Sequence, residues 1–211
     1  MKTVFKSIWF RCVSVLLCIA AASGSILALF NDVLYVSAEE RTQRAVKKIY
    51  GEEKEYSVIL DTEAGDSPYL DEKGYGKIEK IYTVSQPEAG EYDLLFKSTG
   101  FNGYKNGTVT LWVRIAFPDG GNVNDGKIIK VILESYEKQT LMSKIDDGFF
   151  SGFYLEDVTE RYFAGERFTP DVRDSQNMLN PVSGATKSAN AGCNAVNCVL
   201  EYLSETSGGD Q

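Results

Sequence analysis

The sequence predicts an α+β fold, an antiparallel sheet packed with helices, preceded by one N-terminal transmembrane helix. Three observations carry that expectation. An uncharged apolar run opens the chain, four stretches rich in β-branched and aromatic residues follow with turn signals between them, and a long segment with apolar residues at helical spacing closes it. A chain of 211 residues, 43% of them apolar, has room for one domain of moderate size beyond the first helix.

Residues 12–30, CVSVLLCIAAASGSILALF, carry no charge and are extended upstream by Ile8, Trp9 and Phe10. At 1.5 Å per residue, a helix over this run is about 28 Å long, close to the hydrocarbon thickness of a bilayer. Lys2, Lys6 and Arg11 precede most of it, while Asp32, Glu39 and Glu40 follow. The positive-inside bias therefore predicts a single-pass protein of the cell membrane, its N-terminus cytoplasmic and its C-terminal domain extracytoplasmic. The small residues of AAASGS would also suit a cleaved signal peptide. The apolar continuation through ILALF is longer than a usual h-region and favours an uncleaved anchor. The expected division is 1–30 for the cytoplasmic N-terminus and transmembrane helix, 31–50 for a juxtamembrane helix, and 51–211 for the extracytoplasmic domain.

Within 34–49, Ser37 with Glu40 three residues on forms a capping box, which predicts a helix of about three turns. A polar, turn-rich stretch follows, with a short strand at 56–60 and otherwise the character of a loop lying over the domain. Strands are predicted at 78–85, 92–98, 108–117 and 127–134, joined by QPEAGE and PDGGNVNDG, so that a meander is expected. A short helix is expected at 157–163. The last helix, 187–203, has a stripe at Ala189, Cys193, Val196, Leu200 and Leu203, and SETSGGDQ after it reads as a frayed tail.

Charge excludes several functions. Three of the 22 basic residues and none of the 30 acids precede residue 31, leaving 19 bases against 30 acids and a net charge of −11 beyond it. Such a domain is repelled by phosphate backbones, so no nucleic-acid partner is expected. The chain has no histidine, which removes Ser-His and Cys-His nucleophile pairs and histidine-containing metal sites. No catalytic acid–base residue and no metal site is expected. Cys193 and Cys198, five apart on one helix, would lie on faces about 140° apart, beyond disulfide reach, and read as packed thiols.

One motif carries chemistry. Pro181-Val182-Ser183-Gly184-Ala185-Thr186-Lys187-Ser188 is a turn of small residues entering a helix N-terminus, with three hydroxyls in six residues. Orphan backbone N–H groups and the positive end of the helix dipole suit an anion there, and Lys187 could add charge. Gly184 and Ala185 allow close approach to the backbone. Ser and Thr are also common helix N-caps and short motifs match by chance, so on these residues alone SGAT reads first as a capped turn.

SGATKS followed by an Ala/Val/Asn-rich helix resembles the covalent flavin-attachment motif of the FMN-binding domain family, which includes the G subunit of the Rnf electron-transport complex and the C subunit of the sodium-pumping NADH:quinone oxidoreductase. The resemblance implies FMN joined by a phosphodiester to Thr186 through a dedicated flavin transferase, with Ser183, Gly184, Ala185 and Ser188 completing the motif. It extends, more weakly, to the element order and to Asp125-Gly126-Lys127-Ile128. Family members usually carry E-T-P-G-L-G after that strand. Here Glu137 and Leu141 match, while the Pro and Gly are absent. The family's Gly-Tyr-Gly-Gly segment is echoed by Gly100-Phe101-Asn102-Gly103-Tyr104, whose aromatics read either as a cover for the flavin ring or as core. The function implied is that of an electron-carrying subunit, working with the other membrane subunits of an Rnf-like ion-translocating complex rather than as an enzyme alone. A free-standing extracellular electron carrier and a flavin-free structural or binding module are the alternatives.

Overall fold

A computed structural model describes residues 8–34, 37–86, 91–118, 122–145, 147–171, 173–179 and 185–207. Contacts divide the chain into two compact units, Met1–Thr42 and Gln43–Gln211, with the boundary inside the second helix. The first unit is dominated by α1 (Ile8–Leu34), whose stretch Trp9–Phe30 has a mean hydropathy of 2.3 and buries none of its side chains. At 22 residues it is about 33 Å long, enough to cross a bilayer. The helix α2 (Ala38–Tyr50) starts where the capping box places it, with the Glu40 N–H donating to Ser37 Oγ at 3.1 Å.

The second unit is built on six antiparallel strands: β1 (Ser57–Asp61), β2 (Tyr69–Leu70), β3 (Gly76–Gln86), β4 (Glu91–Gly100), β5 (Val109–Phe117) and β6 (Lys127–Tyr136). The order is β1-β3-β4-β5-β6, with β2 also paired to β3. The four long strands form the expected meander. The stretch after α2 is more ordered than a loop, because β1 and β2 both add to the outer edge of β3.

Alternation gives the sheet two apolar faces. On one, Tyr82, Leu95 and Trp112 receive Val46 and Ile49 from the last turns of α2. Beside them Arg114 pairs with the fully buried Asp93 and lays its guanidinium 4.2 Å from the centroid of the Tyr50 ring. On the other, Ile81, Phe96, Leu111, Val113 and Ile115 pack with α5 (Thr186–Ser207). The stripe Ala189, Cys193, Val196, Leu200 and Leu203 is buried, and so are Ala191, Ala195, Cys198 and Val199 on other sides of the helix. The helix continues to Ser207, so the first four residues read as a frayed tail are helical. The short helices α3 (Asp147–Ser151) and α4 (Val158–Phe163) close the same side, where Phe149, Phe150, Phe153 and Phe168 meet edge to face.

Gly100 marks the tightest contact between sheet and helix. A Cβ there would stand 1.9 Å from the Ala191 carbonyl oxygen and 2.4 Å from the Ala195 nitrogen. Nearby, Ser98 Oγ donates to the Ala195 carbonyl at 2.8 Å.

Candidate functional site

The site forms where α5 begins. Thr186 is the first helical residue, and the Ala185 carbonyl before it accepts the N–H of Ala189 at 2.9 Å. The residue at the N-cap is thus an alanine, which has no side-chain acceptor to offer the first turn. At 100° per residue, the first positions divide between outside and inside. Thr186 and Lys187 are exposed, whereas Ala185 and Ser188 are each only 3% exposed.

Thr186 opens on a cavity of about 240 Å³ lined by Tyr104, Thr140, Leu141, Ala185, Lys187 and Ser188 as well. Four of the sequence-derived residues, Thr186, Ala185, Ser188 and Leu141, are therefore brought together from two distant parts of the chain. Glu137 is not among them. Its backbone N–H and C=O pair with Thr108, and it lines a separate polar groove with Lys77, Lys97, Thr99 and Thr110. Ser183 and Gly184 lie outside the described residues. Of the aromatics before β5, Tyr104 lines the cavity, and Phe101 lines the polar groove instead.

Gln139 joins the walls of the cavity. It is 7% exposed. Its Oε1 accepts the Tyr104 N–H at 3.1 Å and the Ser188 hydroxyl at 2.9 Å, and its Nε2 donates to the Glu137 carbonyl at 2.9 Å. Gly103 and Gly107 leave the space it occupies, since a Cβ on either would come within 2.4 or 2.5 Å of Nε2. Two asparagines of α5 complete the attachment of the Tyr104 loop: Asn190 donates to the Asn102 carbonyl at 3.1 Å and Asn194 to the Phe101 carbonyl at 2.9 Å. Three residues of this loop, Asn102, Lys105 and Asn106, have positive φ, a conformation these contacts hold in place. A buried amide whose partners come from three segments leaves no trace in local sequence.

The cavity has a polar floor in Ser188, an apolar wall in Leu141 and Ala185, and an exposed hydroxyl and ammonium at its mouth. That donor set fits a phosphate ester at Thr186 with a flat apolar group reaching toward Leu141 and Tyr104. Cys193 and Cys198 lie deeper in α5 as free, buried thiols, and burial pushes the Cys198 thiol up to about 12, leaving it protonated and inert. Among the described residues no group of three His, Cys, Asp or Glu is placed to hold a metal ion. Comparisons with protein-family models, with curated proteins and with solved structures find no match to this chain.

Proposed function

We propose that this chain is a membrane-anchored electron-transfer flavoprotein, carrying FMN covalently on Thr186 as a subunit of an Rnf-like ion-translocating oxidoreductase complex. The observation that carries the reading is the position of Thr186. In an S-G-A-T-x-S context, it is exposed at the first position of a 22-residue, largely buried helix and faces a cavity shared with Leu141.

The chain's own groups support the chemistry. The first turn of α5 directs backbone N–H groups and the positive end of its dipole toward a phosphate on the Thr186 oxygen, and Lys187 adds a cation beside it. Leu141, Ala185 and Tyr104 provide apolar surface that excludes water from one side of a bound ring. The cavity is smaller than those that enclose a whole cofactor, which run to roughly 300–1,000 Å³, and this suits a group held by a covalent tether and left partly open for electron exchange. FMN would supply the redox chemistry, and the protein attachment, orientation and field. In this reading α1 crosses the cell membrane with its basic end in the cytoplasm, and the flavin lies outside, where a dissociable cofactor would be lost.

The test is the intact mass of the chain co-expressed with a flavin transferase. The wild type is expected to gain FMN less one water, Thr186→Val to gain nothing while still folding, and Thr186→Ser to keep part of the label. A wild type without flavin, or FMN mass on the Thr186→Val protein, would overturn the assignment.

A further inference from the structure

The charge around the Thr186 cavity is opposite to that of the rest of the domain. Besides Thr186, the cavity is lined by Tyr104, Thr140, Leu141, Ala185, Lys187 and Ser188, and the stretches of chain that supply them, 102–107, 137–145 and 185–190, contain Lys105, Lys138, Lys144 and Lys187 and one acid, Glu137. The adjoining residues 180–184, Asn-Pro-Val-Ser-Gly, add no charge. With those three segments set aside, the chain beyond residue 30 keeps 15 bases against 29 acids, a net charge of −14.

Pairing sharpens the contrast. Lys47, Lys54, Lys73, Lys77, Lys80, Arg114, Arg161, Arg167 and Arg173 each stand within ion-pair distance of a carboxylate. Among the described residues beyond residue 30, Lys105, Lys138, Lys144 and Lys187 do not, and all four are exposed; outside these stretches only Lys48, Lys127 and Lys130 also stand clear of a carboxylate, and of these Lys48 and Lys130 share a depression with Asp147. Lys105 Nζ lies 5.4 Å from the centroid of the Tyr104 ring, the Lys144 N–H donates to the Leu141 carbonyl at 3.0 Å, and Lys187 lines the cavity itself. Glu137 faces the polar groove, and the nearest acids along the chain are Asp146 and Asp147, of which Asp147 lines a different depression with Lys48 and Lys130. Tyr104 and Leu141 are 38% and 40% exposed, apolar surface beside the Lys105 and Lys187 ammonium groups.

We infer that this face is the docking surface for an acidic partner protein, one that exchanges electrons at the Thr186 site. The electron-exchange part rests on the flavin reading; the acidic partner does not. Uncompensated exposed lysines are felt across roughly one Debye length, about 8–10 Å at physiological salt, so local charge rather than net charge steers a partner at this distance.

The test uses the full-length chain in neutral detergent and two paramagnetic probes of opposite charge, hexacyanochromate(III) and hexaamminechromium(III). The anion should broaden the backbone signals of Tyr104, Leu141 and Lys187 selectively, against the net charge of the molecule. Lys105→Gln/Lys138→Gln/Lys187→Gln should lose that selectivity without a change in melting temperature. The acidic soluble domain of cytochrome b5 should shift the same signals more than basic cytochrome c does. With flavin attached, oxidation of the reduced protein by ferricyanide, two ferricyanides accepting two electrons while the flavin's protons pass to buffer, should slow on the order of tenfold as salt is raised, and in the triple variant should not slow. Anion broadening spread evenly or centred elsewhere overturns the inference. So does a stronger effect from phosphatidylglycerol vesicles than from cytochrome b5, which would make the partner a lipid surface. A chain that carries no flavin removes the flavin reading alone, because the broadening experiment is unaffected.

Discussion

At the scale of single residues, the site depends on a few amides more than on its charged groups. Gln139 binds Tyr104, Ser188 and Glu137 at once, and Asn190 and Asn194 hold the loop between β4 and β5. Farther along α5, Asn197 takes both the N–H and the C=O of Phe168, at 3.0 and 2.8 Å. The Asn-rich character of that helix thus has a structural cause: each of these side chains supplies backbone pairing to a segment outside the sheet. Replacing Gln139 with Leu removes three hydrogen bonds and strands a buried hydroxyl and an N–H, each worth roughly 1–3 kcal/mol when left unpaired. Amide exchange at Tyr104 should accelerate at least about tenfold, the equivalent of 1.4 kcal/mol, while Val113 in the sheet keeps its wild-type rate. Gln139→Glu retains the acceptor oxygen for both donors and should recover part of the protection. Equal exchange at Tyr104 in all three proteins would mean that the junction does not hold the loop.

At the scale of elements, α5 and the sheet are matched backbone to backbone. Gly100 ends β4 against the turn of α5 between Ala191 and Ala195, where no side chain fits. Gly100→Ala should force strand and helix apart, at a cost on the order of 3 kcal/mol, and a melting temperature lowered by roughly 6–12 °C follows for a domain of this size. Thermal unfolding of the variant checks this, and an unchanged midpoint would contradict the close approach. The edge strand β6 shows another device. It carries an extra residue opposite the step from Arg114 to Ile115 and another opposite the step from Thr110 to Leu111, two bulges that interrupt its ladder. The Tyr154 hydroxyl also reaches the Val131 N–H at 3.3 Å, on the open side of the strand. Both features blunt an edge that could otherwise pair with another chain.

At the scale of the whole molecule, sensitivity to acid comes from carboxylates that folding holds ionised, and Asp61 is a defined contributor. Burial works to raise its pKa, but the Tyr82 hydroxyl at 2.8 Å, the Glu63 N–H at 2.9 Å and the Lys80 ammonium at 3.3 Å outweigh it and hold the carboxyl below its ordinary value. A group lowered in the folded state contributes its full stability above the unfolded value of about 4, and that contribution is lost as pH falls through the lower folded value. Lys80, 3% exposed, depends on the same carboxylate and on Glu63. Asp61→Asn should therefore be less stable than wild type at neutral pH, and should lose less on acidification below about pH 4. Urea midpoints across the acid range measure both. Parallel profiles for the two proteins would exclude Asp61 from the acid transition.

Much of the fold was legible because it depends on local periodicity. The apolar helix at 9–30, the capping box that starts α2, the four long strands and the stripe of α5 follow from hydropathy, side-chain alternation and cap chemistry, which act over a few residues. The short strands β1 and β2 and the helix α3 were weaker signals, since two to five residues cannot establish a period. Within the site, the sequence motif singled out Thr186 with its small neighbours, and the flavin-family resemblance added Leu141 together with Glu137. Only the tertiary structure decided that Leu141 meets Thr186, that Glu137 faces another groove, that Gln139 ties the walls together, and that Lys105, over the Tyr104 ring, and Lys187 come to one cavity from distant parts of the chain. The physical reason is range: periodicity and capping are interactions between near neighbours, whereas a buried amide and an electrostatic field depend on residues that only folding makes adjacent.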